Sequence, residues 1–477
     1  MKKLSYLLLL AGVGISLTSC EEKKDYVEMG TLDGIGMIIR SVSVEDGSNI
    51  MPIDAIYVDY NNLVGIKSTS SATVNGSPVD VYVNPDNGMQ LVIPMNCVAN
   101  KEYTVTVPNG MIYRSDDENV TNEGFTVSFT TNFGLDAEKV DKNLTNANAT
   151  TEAKALYAEL LSNYGKVMYS GAMGGVAWET GYTDYIATAN DGAGYPKIVG
   201  FDYIHLASSP ANWIDYGDIT PVKSVWEAGS IPTVTWHWNV PEVVDGEIVD
   251  NTLLSYNNTF SPNEVLTPGT KQNEIAEADI KKLAGYMKLL QDANIPVLFR
   301  PFHEAAGDYT WGAWFWWGKD GTDATIGLWN YLRDKLENEY GLNNLIWVWT
   351  MQTSDAGMTA SIDVIRGAYP GDDVVDIVGV DLYPSDPMSD QTDQFNILNT
   401  VVNGKKIVTL SEVGNLIDPA IAAENNCLWS YFMNWYDFSS PNVFGFGEWN
   451  TRSVTYNGTE YSNPWAAVAN SPYVVNR

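Results

Sequence analysis

Two glutamates stand where a run of apolar residues stops. Pro296-Val297-Leu298-Phe299-Arg300-Pro301-Phe302-His303 ends on Glu304, and Lys405-Lys406-Ile407-Val408-Thr409-Leu410-Ser411 ends on Glu412. A strand buried on both faces has little reason to end on a bare carboxylate. One such glutamate is ordinarily a helix cap or half of an ion pair. Two of them, with aromatic neighbours, point to shared chemistry. Carboxyl groups about 5–5.5 Å apart can cleave a glycosidic bond with retention, one giving a proton and the other attacking carbon. Alternation along the first run places Arg300, Phe302 and Glu304 on one face. Arg300 then lies below Glu304, where its fixed fork can hold a carboxylate ionised. Asp381 and Tyr383 likewise share a face at the end of Val378-Gly379-Val380-Asp381-Leu382-Tyr383. A tyrosine at that height can hydrogen-bond the attacking glutamate. Arg300 and Asp381 read equally well as a buried structural ion pair.

The remaining polar candidates are histidines. His237 closes Thr233-Val234-Thr235-Trp236-His237-Trp238, and its two tryptophan neighbours suggest a sugar hydrogen-bonder. His303 can contact substrate or position the acid, and His205 reads as structural. Metal chemistry competes for the same residues. The chain has three histidines and no His-Glu-x-x-His helix, and strand alternation sends His303 and Glu304 to opposite faces. The expectation is therefore no metal and no cofactor. A Gly-x-Ser-x-Gly elbow is also missing, which argues against a serine hydrolase.

The elements that must carry these groups follow from the pattern. Strand-like runs recur at 166–170, 197–206, 231–239, 296–304, 345–350, 374–383, 405–412 and 442–449. Helical patterns lie at 151–164, 273–293, 325–340, 391–402 and 418–436. That rhythm predicts an α/β fold, a (β/α)8 TIM barrel, whose reactive groups sit at the carboxyl ends of its strands. An open doubly wound sheet is the alternative, weakened because no Gly-rich phosphate loop follows a strand. The polar, Pro-punctuated stretch 240–272 should form a large loop on the site face. Earlier in the chain, short alternating runs at 55–58, 79–83, 90–93, 103–107 and 125–129 are separated by turns such as Asn75-Gly76 and Pro108-Asn109-Gly110. They predict a small all-β immunoglobulin-like sandwich. The expected organisation is a signal peptide over 1–19, a tether over 20–29, the sandwich over 30–134 and the barrel over 135–477.

Composition narrows the partners. Lys+Arg is 27 and Asp+Glu is 59, a net charge of −32, which repels nucleic acid and anionic polymers. A neutral partner fits, and 16 Trp, 27 Tyr and 13 Phe suit sugar rings, although most aromatics in any chain serve the core. The start Met1-Lys2-Lys3, an apolar run from Leu7 to Val13, then Leu17-Thr18-Ser19-Cys20 resembles a bacterial lipoprotein signal. Lipid on Cys20 would anchor the exported protein to the outer membrane, at the cell surface or periplasmic face. A plain secretory signal is the alternative. Cys97 and Cys427 have no pairing pattern and read as buried thiols.

Arg300-Pro301-Phe302-His303-Glu304 followed by Trp314-Phe315-Trp316-Trp317-Gly318 resembles glycoside hydrolase family 26. Gly200-Phe201-Asp202-Tyr203, Trp236-His237-Trp238, Val380-Asp381-Leu382-Tyr383 and Ser411-Glu412-Val413-Gly414 match in the family's order, over roughly two-thirds of the chain. The resemblance implies a retaining endo-β-1,4-mannanase with Glu304 as acid/base and Glu412 as nucleophile. It places His237, His303, Trp314, Tyr383 and Trp449 around the cleaved subsite. Trp236, Trp314 and Trp449 are expected to stack sugar rings. The chain departs from the family in the longer spacer Ala305 to Ala313, so either Trp311 or Trp314 supplies the platform. The expected partner is a neutral β-mannan, bound by a monomer. The alternatives are a β-glucanase or β-xylanase of the same fold, a surface glycan-binding protein without turnover, and an adhesin built on the sandwich. The sandwich itself is expected to lift the barrel off the membrane, with glycan contact as a second role.

Overall fold

The computed structural model describes residues 36–50, 52–98, 101–131, 135–175, 178–181, 183, 194–244, 247–255, 258–305, 313–352, 362–383, 388–389, 391–435, 454–456, 458–462 and 464–477. The chain divides into two compact units, Met1–Phe133 and Gly134–Arg477.

The first unit is all β. Ile39–Val42, Ala55–Tyr60, Gln90–Pro94 and Tyr82–Val83 pair in that order as one sheet, and Ser48–Ile50, Phe125–Thr131, Glu102–Val107, Ala72–Val74 and Ser77–Val79 as another. A three-stranded sheet joins Asp117–Thr121, Ile112–Arg114 and Val64–Ile66. Period-2 alternation drives the assembly. Ile56, Val58, Leu91 and Ile93 from one sheet share a buried core with Val105, Val107, Val127 and Phe129 from the other. Asn75 and Gly76 form a two-residue hairpin with φ of 49° and 81°, the left-handed pair that matches strand twist. Tyr57 and Tyr82 both lie opposite Val92, so the three form a row on the outer face. Val92 is buried between the tyrosines, which stay half exposed.

The second unit is a closed eight-stranded parallel barrel. Its strands are β1 (Gly171–Met173), β2 (Ile198–Asp202), β3 (Ile231–Trp236), β4 (Val297–Pro301), β5 (Leu345–Gln352), β6 (Ile377–Leu382), β7 (Ile407–Val413) and β8 (Phe432–Asn434). β2, β3, β4, β6 and β7 are buried along their whole length, as expected for parallel strands covered on both faces. The helix Lys271–Asp292 shows how the outer layer is made. Thr270 caps it by accepting from the Asn273 amide, and Ala276, Ile280, Leu283, Ala284, Met287 and Leu290 form its buried stripe. The stretch 240–272 holds a hairpin, Val240–Val244 with Glu247–Thr252, and a short helix, Pro262–Leu266. Cys97 and Cys427 are buried thiols that are not joined in a disulfide.

Three elements differ from the sequence reading. The first barrel strand begins at Gly171, beyond 166–170, because Met168–Tyr169 pairs with Val474–Val475 near the chain's end. The helix predicted over 418–436 is only Pro419–Glu424, and the apolar residues after it form β8. The stretch 442–449, read as the eighth strand, lies outside the described residues, as do Trp449 and Cys20.

Candidate active site

The carboxyl ends of β3, β4, β6, β7 and β8 converge on one open cavity of about 330 Å³. His237, His303, Glu304, Phe315, Tyr383, Glu412 and Trp435 line it. One carboxylate oxygen from each of Glu304, Asp381 and Glu412 lies within 4.8 Å of the other two. That is the close spacing of a retaining pair. An inverting pair, at about 6.5–9.5 Å, leaves room for a water between its carboxyl groups.

Arg300 organises the cluster. Its Nη1 donates to Asp381 Oδ2 at 2.7 Å and its Nη2 to Glu412 Oε2 at 2.6 Å. Burial works against the Arg300 charge, but Asp381 and Glu412 outweigh it and push its pKa up. Ser411 Oγ donates to the other Asp381 oxygen at 2.9 Å, and the Tyr383 hydroxyl donates to Glu412 Oε1. Glu304, Asp381 and Glu412 are close enough to share a cation, and the Arg300 guanidinium bonds two of them, Asp381 and Glu412.

Strand irregularities aim both glutamates. Between β6 and β7, Gly379 faces Thr409 while Asp381 faces Glu412, so β7 carries one extra residue. This bulge lets the consecutive residues Ser411 and Glu412 both reach the Arg300–Asp381 cluster, which strict alternation forbids. Gly414 follows, where a Cβ would meet the Tyr383 ring at 2.5 Å. β4 stops at Pro301, and Phe302 and Glu304 then take left-handed φ values of 54° and 53°. Alternation therefore fails after Arg300. His303 and Glu304, expected on opposite faces, both line the cavity.

The two glutamates differ in their donors. Glu412 accepts from Arg300 and Tyr383. Glu304 accepts from Trp314 Nε1 at 2.8 Å and is 8% exposed. Burial, then the Glu412 and Asp381 charges, push its pKa well above the usual carboxyl value, against smaller opposing effects of Trp314 and Arg300. Burial, followed by the Glu412 and Glu304 charges, likewise raises the Tyr383 hydroxyl and keeps it a donor.

The structure also redistributes the other sequence candidates. Trp236 is 2% exposed and stacks on Trp238 at 3.9 Å, so it is a packing residue and not a sugar platform. The pleat of β3 is the reason: Trp236 turns to the layer where Trp238 Nε1 donates to Asp279 of the helix Lys271–Asp292. Trp314 is half-buried against Glu304. His237 and His303 touch through their Nε2 atoms at 3.0 Å. His237 Nδ1 is 2.6 Å from Asp202 Oδ2, so both His237 nitrogens have protein partners and neither is spare for a hydroxyl. His205 packs against Trp213. Trp435 was missed because it sat at the end of a supposed helix. It lies one residue beyond β8, its ring 5.6 Å from that of His237. Phe315, whose place between Trp314 and Trp316 in the sequence carries no sign of a role, also lines the cavity.

Comparison with known proteins fits this geometry. A mannan endo-1,4-β-mannosidase B of Piromyces sp. is 33% identical over 303 residues, covering 62% of this chain and 49% of its own. A mannan endo-1,4-β-mannosidase of Thermothelomyces thermophilus is 30% identical over 419 residues, covering 84% and 76%. The chain spans about half the length of the first of these. Among solved structures, the family-26 domain of an endo-β-mannanase/endo-β-glucanase from Prevotella bryantii has a TM-score of 0.59 at 33% identity, covering 70% of this chain and 98% of that one. A ruminal family-26 endo-β-1,4-mannanase has a TM-score of 0.62 at 26% identity, covering 94% and 93%. The model of glycosyl hydrolase family 26 matches residues 145–467, which take in the barrel, the Arg300 cluster and both glutamates, and the chain belongs to that family.

Proposed function

We propose that the protein is an endo-acting β-1,4-mannanase that cleaves mannan, galactomannan or glucomannan by double displacement. The observation that carries this reading is the glutamate pair, within 4.8 Å yet differently partnered. Glu304, kept protonated by burial and by its acidic neighbours, gives its proton to the glycosidic oxygen. Glu412, oriented by Arg300 and Tyr383, attacks the anomeric carbon as the leaving sugar departs. Glu304, now a carboxylate, takes a proton from water. That water displaces Glu412, and the sugar leaves with its configuration retained. Trp314, Phe315 and Trp435 supply aromatic surface to the rings. Activity on β-glucan is the second reading: the Prevotella bryantii family-26 domain that is 33% identical to this chain comes from an endo-β-mannanase/endo-β-glucanase.

Rates and products on mannan, galactomannan, lichenan and xylan test the substrate. Faster cleavage of lichenan than of mannan overturns it. Glu412→Ala tests the mechanism: turnover is lost, and azide restores part of it as a glycosyl azide of inverted configuration. Near-wild-type turnover by this variant refutes the assignment.

The sequence supports export with a lipid on Cys20 as the outer-membrane anchor. Among the described residues no helix is long and apolar enough to cross a membrane. The all-β unit is proposed to be an immunoglobulin-like spacer. A role in glycan contact is supported by the half-exposed Tyr57 and Tyr82 across the outer face of one sheet. Affinity electrophoresis of full-length Tyr57→Ala/Tyr82→Ala in mannan-containing gels tests it, and unchanged retardation rejects it.

A further inference from the structure

Asp202, the last residue of β2, is 2% exposed and has no part in the glutamate cluster. Its Oδ1 accepts from the His237 amide at 3.1 Å, and its Oδ2 from His237 Nδ1 at 2.6 Å. Beyond His237 runs a chain of buried contacts: His237 Nε2 to His303 Nε2 at 3.0 Å, then His303 Nδ1 to Thr235 Oγ1 at 3.4 Å. Thr235 Oγ1 also contacts the Arg300 carbonyl at 2.9 Å. Donor counting orders this chain. Thr235 has one hydroxyl proton, and the Arg300 carbonyl can only accept it. Toward His303, Thr235 then offers a lone pair, so His303 carries its proton on Nδ1. His303 Nε2 is left as an acceptor, in keeping with the burial that favours the neutral form of this ring. His237 Nε2 must donate to it, while His237 Nδ1 is held against Asp202 Oδ2 at 2.6 Å. The opposite order leaves a lone pair of His303 facing one of Thr235 in a buried site. Asp202 faces His237 from behind; besides His303, the titratable groups on the cavity that His237 lines are Glu304, Tyr383 and Glu412, with the Phe315 and Trp435 rings also there.

The chain ends on the residue beside the acid. Glu304 holds a left-handed φ of 53°, a conformation that persists in a non-glycine residue only where its surroundings impose it. His303, immediately before it, is fixed at its ring by His237 and Thr235 and at its carbonyl by Trp317 Nε1, 2.8 Å away. We infer that Asp202 is a positioning residue for Glu304: it locks the His237–His303 pair in one donor order and so holds the backbone that presents the acid. The inference rests on the reading of Glu304 as the acid. It also means that the two histidines meet the sugar with ring faces and edges and leave no nitrogen for a hydroxyl.

Two measurements on the full chain test it. With only three histidines, ¹⁵N-histidine labelling yields six ring nitrogens, and His205→Gln assigns two of them. The expected pattern is a proton on His303 Nδ1 and none on His303 Nε2, with His237 protonated at Nε2. An Nε2–H His303 overturns the donor order in the unmutated protein. Asp202→Asn removes the carboxylate acceptor at constant shape. Its kcat on mannan should fall by about 10–100-fold with KM little changed, the cost of a slightly misplaced acid. Its burst phase on an aryl mannobioside with an activated leaving group, which needs no acid, should be little changed. An equal fall in both rates, or no fall on mannan, overturns the positioning role. Wild-type protein inactive on every β-mannan and β-glucan would instead defeat the glutamate assignment.

Discussion

Trp314→Phe isolates one force on Glu304. The indole Nε1 donates to Glu304 Oε2 at 2.8 Å, and this bond favours the ionised carboxylate against burial. Phenylalanine keeps an aromatic face and deletes the donor. A hydrogen bond to a charged group contributes about 1.5–3 kcal/mol, and about 1.36 kcal/mol corresponds to one pKa unit. Losing the bond should therefore raise the apparent pKa of the acid by roughly one to two units. Glu304 then keeps its proton to higher pH, so the alkaline limb of kcat/KM moves up by that amount while the acid limb stays. The glutamates titrate as an interacting group, so the limb belongs to the cluster, yet the sign of the change does not depend on how the shift is divided. The assay is the pH dependence of kcat/KM on a soluble mannan, which reports the free enzyme. A stationary alkaline limb, or one that moves down, refutes the assignment of that limb to Glu304.

Three further outcomes follow from the geometry. Folding raises the Glu304 pKa above its ordinary 4.5, so wild-type stability is lost as pH climbs past that value. Glu304→Gln should thus melt above wild type at neutral pH, by roughly 2–4 °C per kcal/mol relieved, with the gain vanishing in acid; calorimetry at several pH values checks this. Gly318→Ala puts a Cβ 1.5 Å from the Ala305 carbonyl oxygen, next to Glu304. It should cost about 1–3 kcal/mol of stability and lower kcat, read by melting and by mannan turnover. Cys20→Ala should release the protein from membrane fractions, and unchanged association would reject the lipid anchor.

The parts legible in the sequence were those with a periodic signature. Val297 to Pro301 and Ile407 to Val413 read as strands because parallel strands covered on both faces are continuous apolar runs, and a carboxylate at the end of such a run stands out. The second and third barrel strands, the long helix after them and the alternating runs of the first unit were found in the same way. β8 was not. It is three residues long, and Leu428 to Met433 carries no alternation that separates a strand from a buried helical turn. Losing β8 meant losing Trp435, which only the end of that strand brings to the cavity.

The site itself depends on departures from period. An extra residue in β7 turns both Ser411 and Glu412 inward, and left-handed φ values at Phe302 and Glu304 bring the Glu304 carboxyl round to the same cavity as His303. Neither leaves a mark in residue types, since serine, glutamate and phenylalanine are ordinary in regular strands. Sequence reasoning could therefore name the two glutamates and Arg300 while misplacing the faces that carry Phe302 and His303. Hydrogen-bond order is less legible still. His237 between two tryptophans reads as a free ligand for sugar, and only the approach of Asp202 from β2 shows both of its nitrogens engaged. Glu304 and Glu412 were visible because a carboxylate is out of place at the end of a buried apolar run. The groups that aim them were hidden because aiming is done by backbone irregularity and by partners distant in the chain, and in this barrel those irregularities gather at the strand ends where substrate must sit.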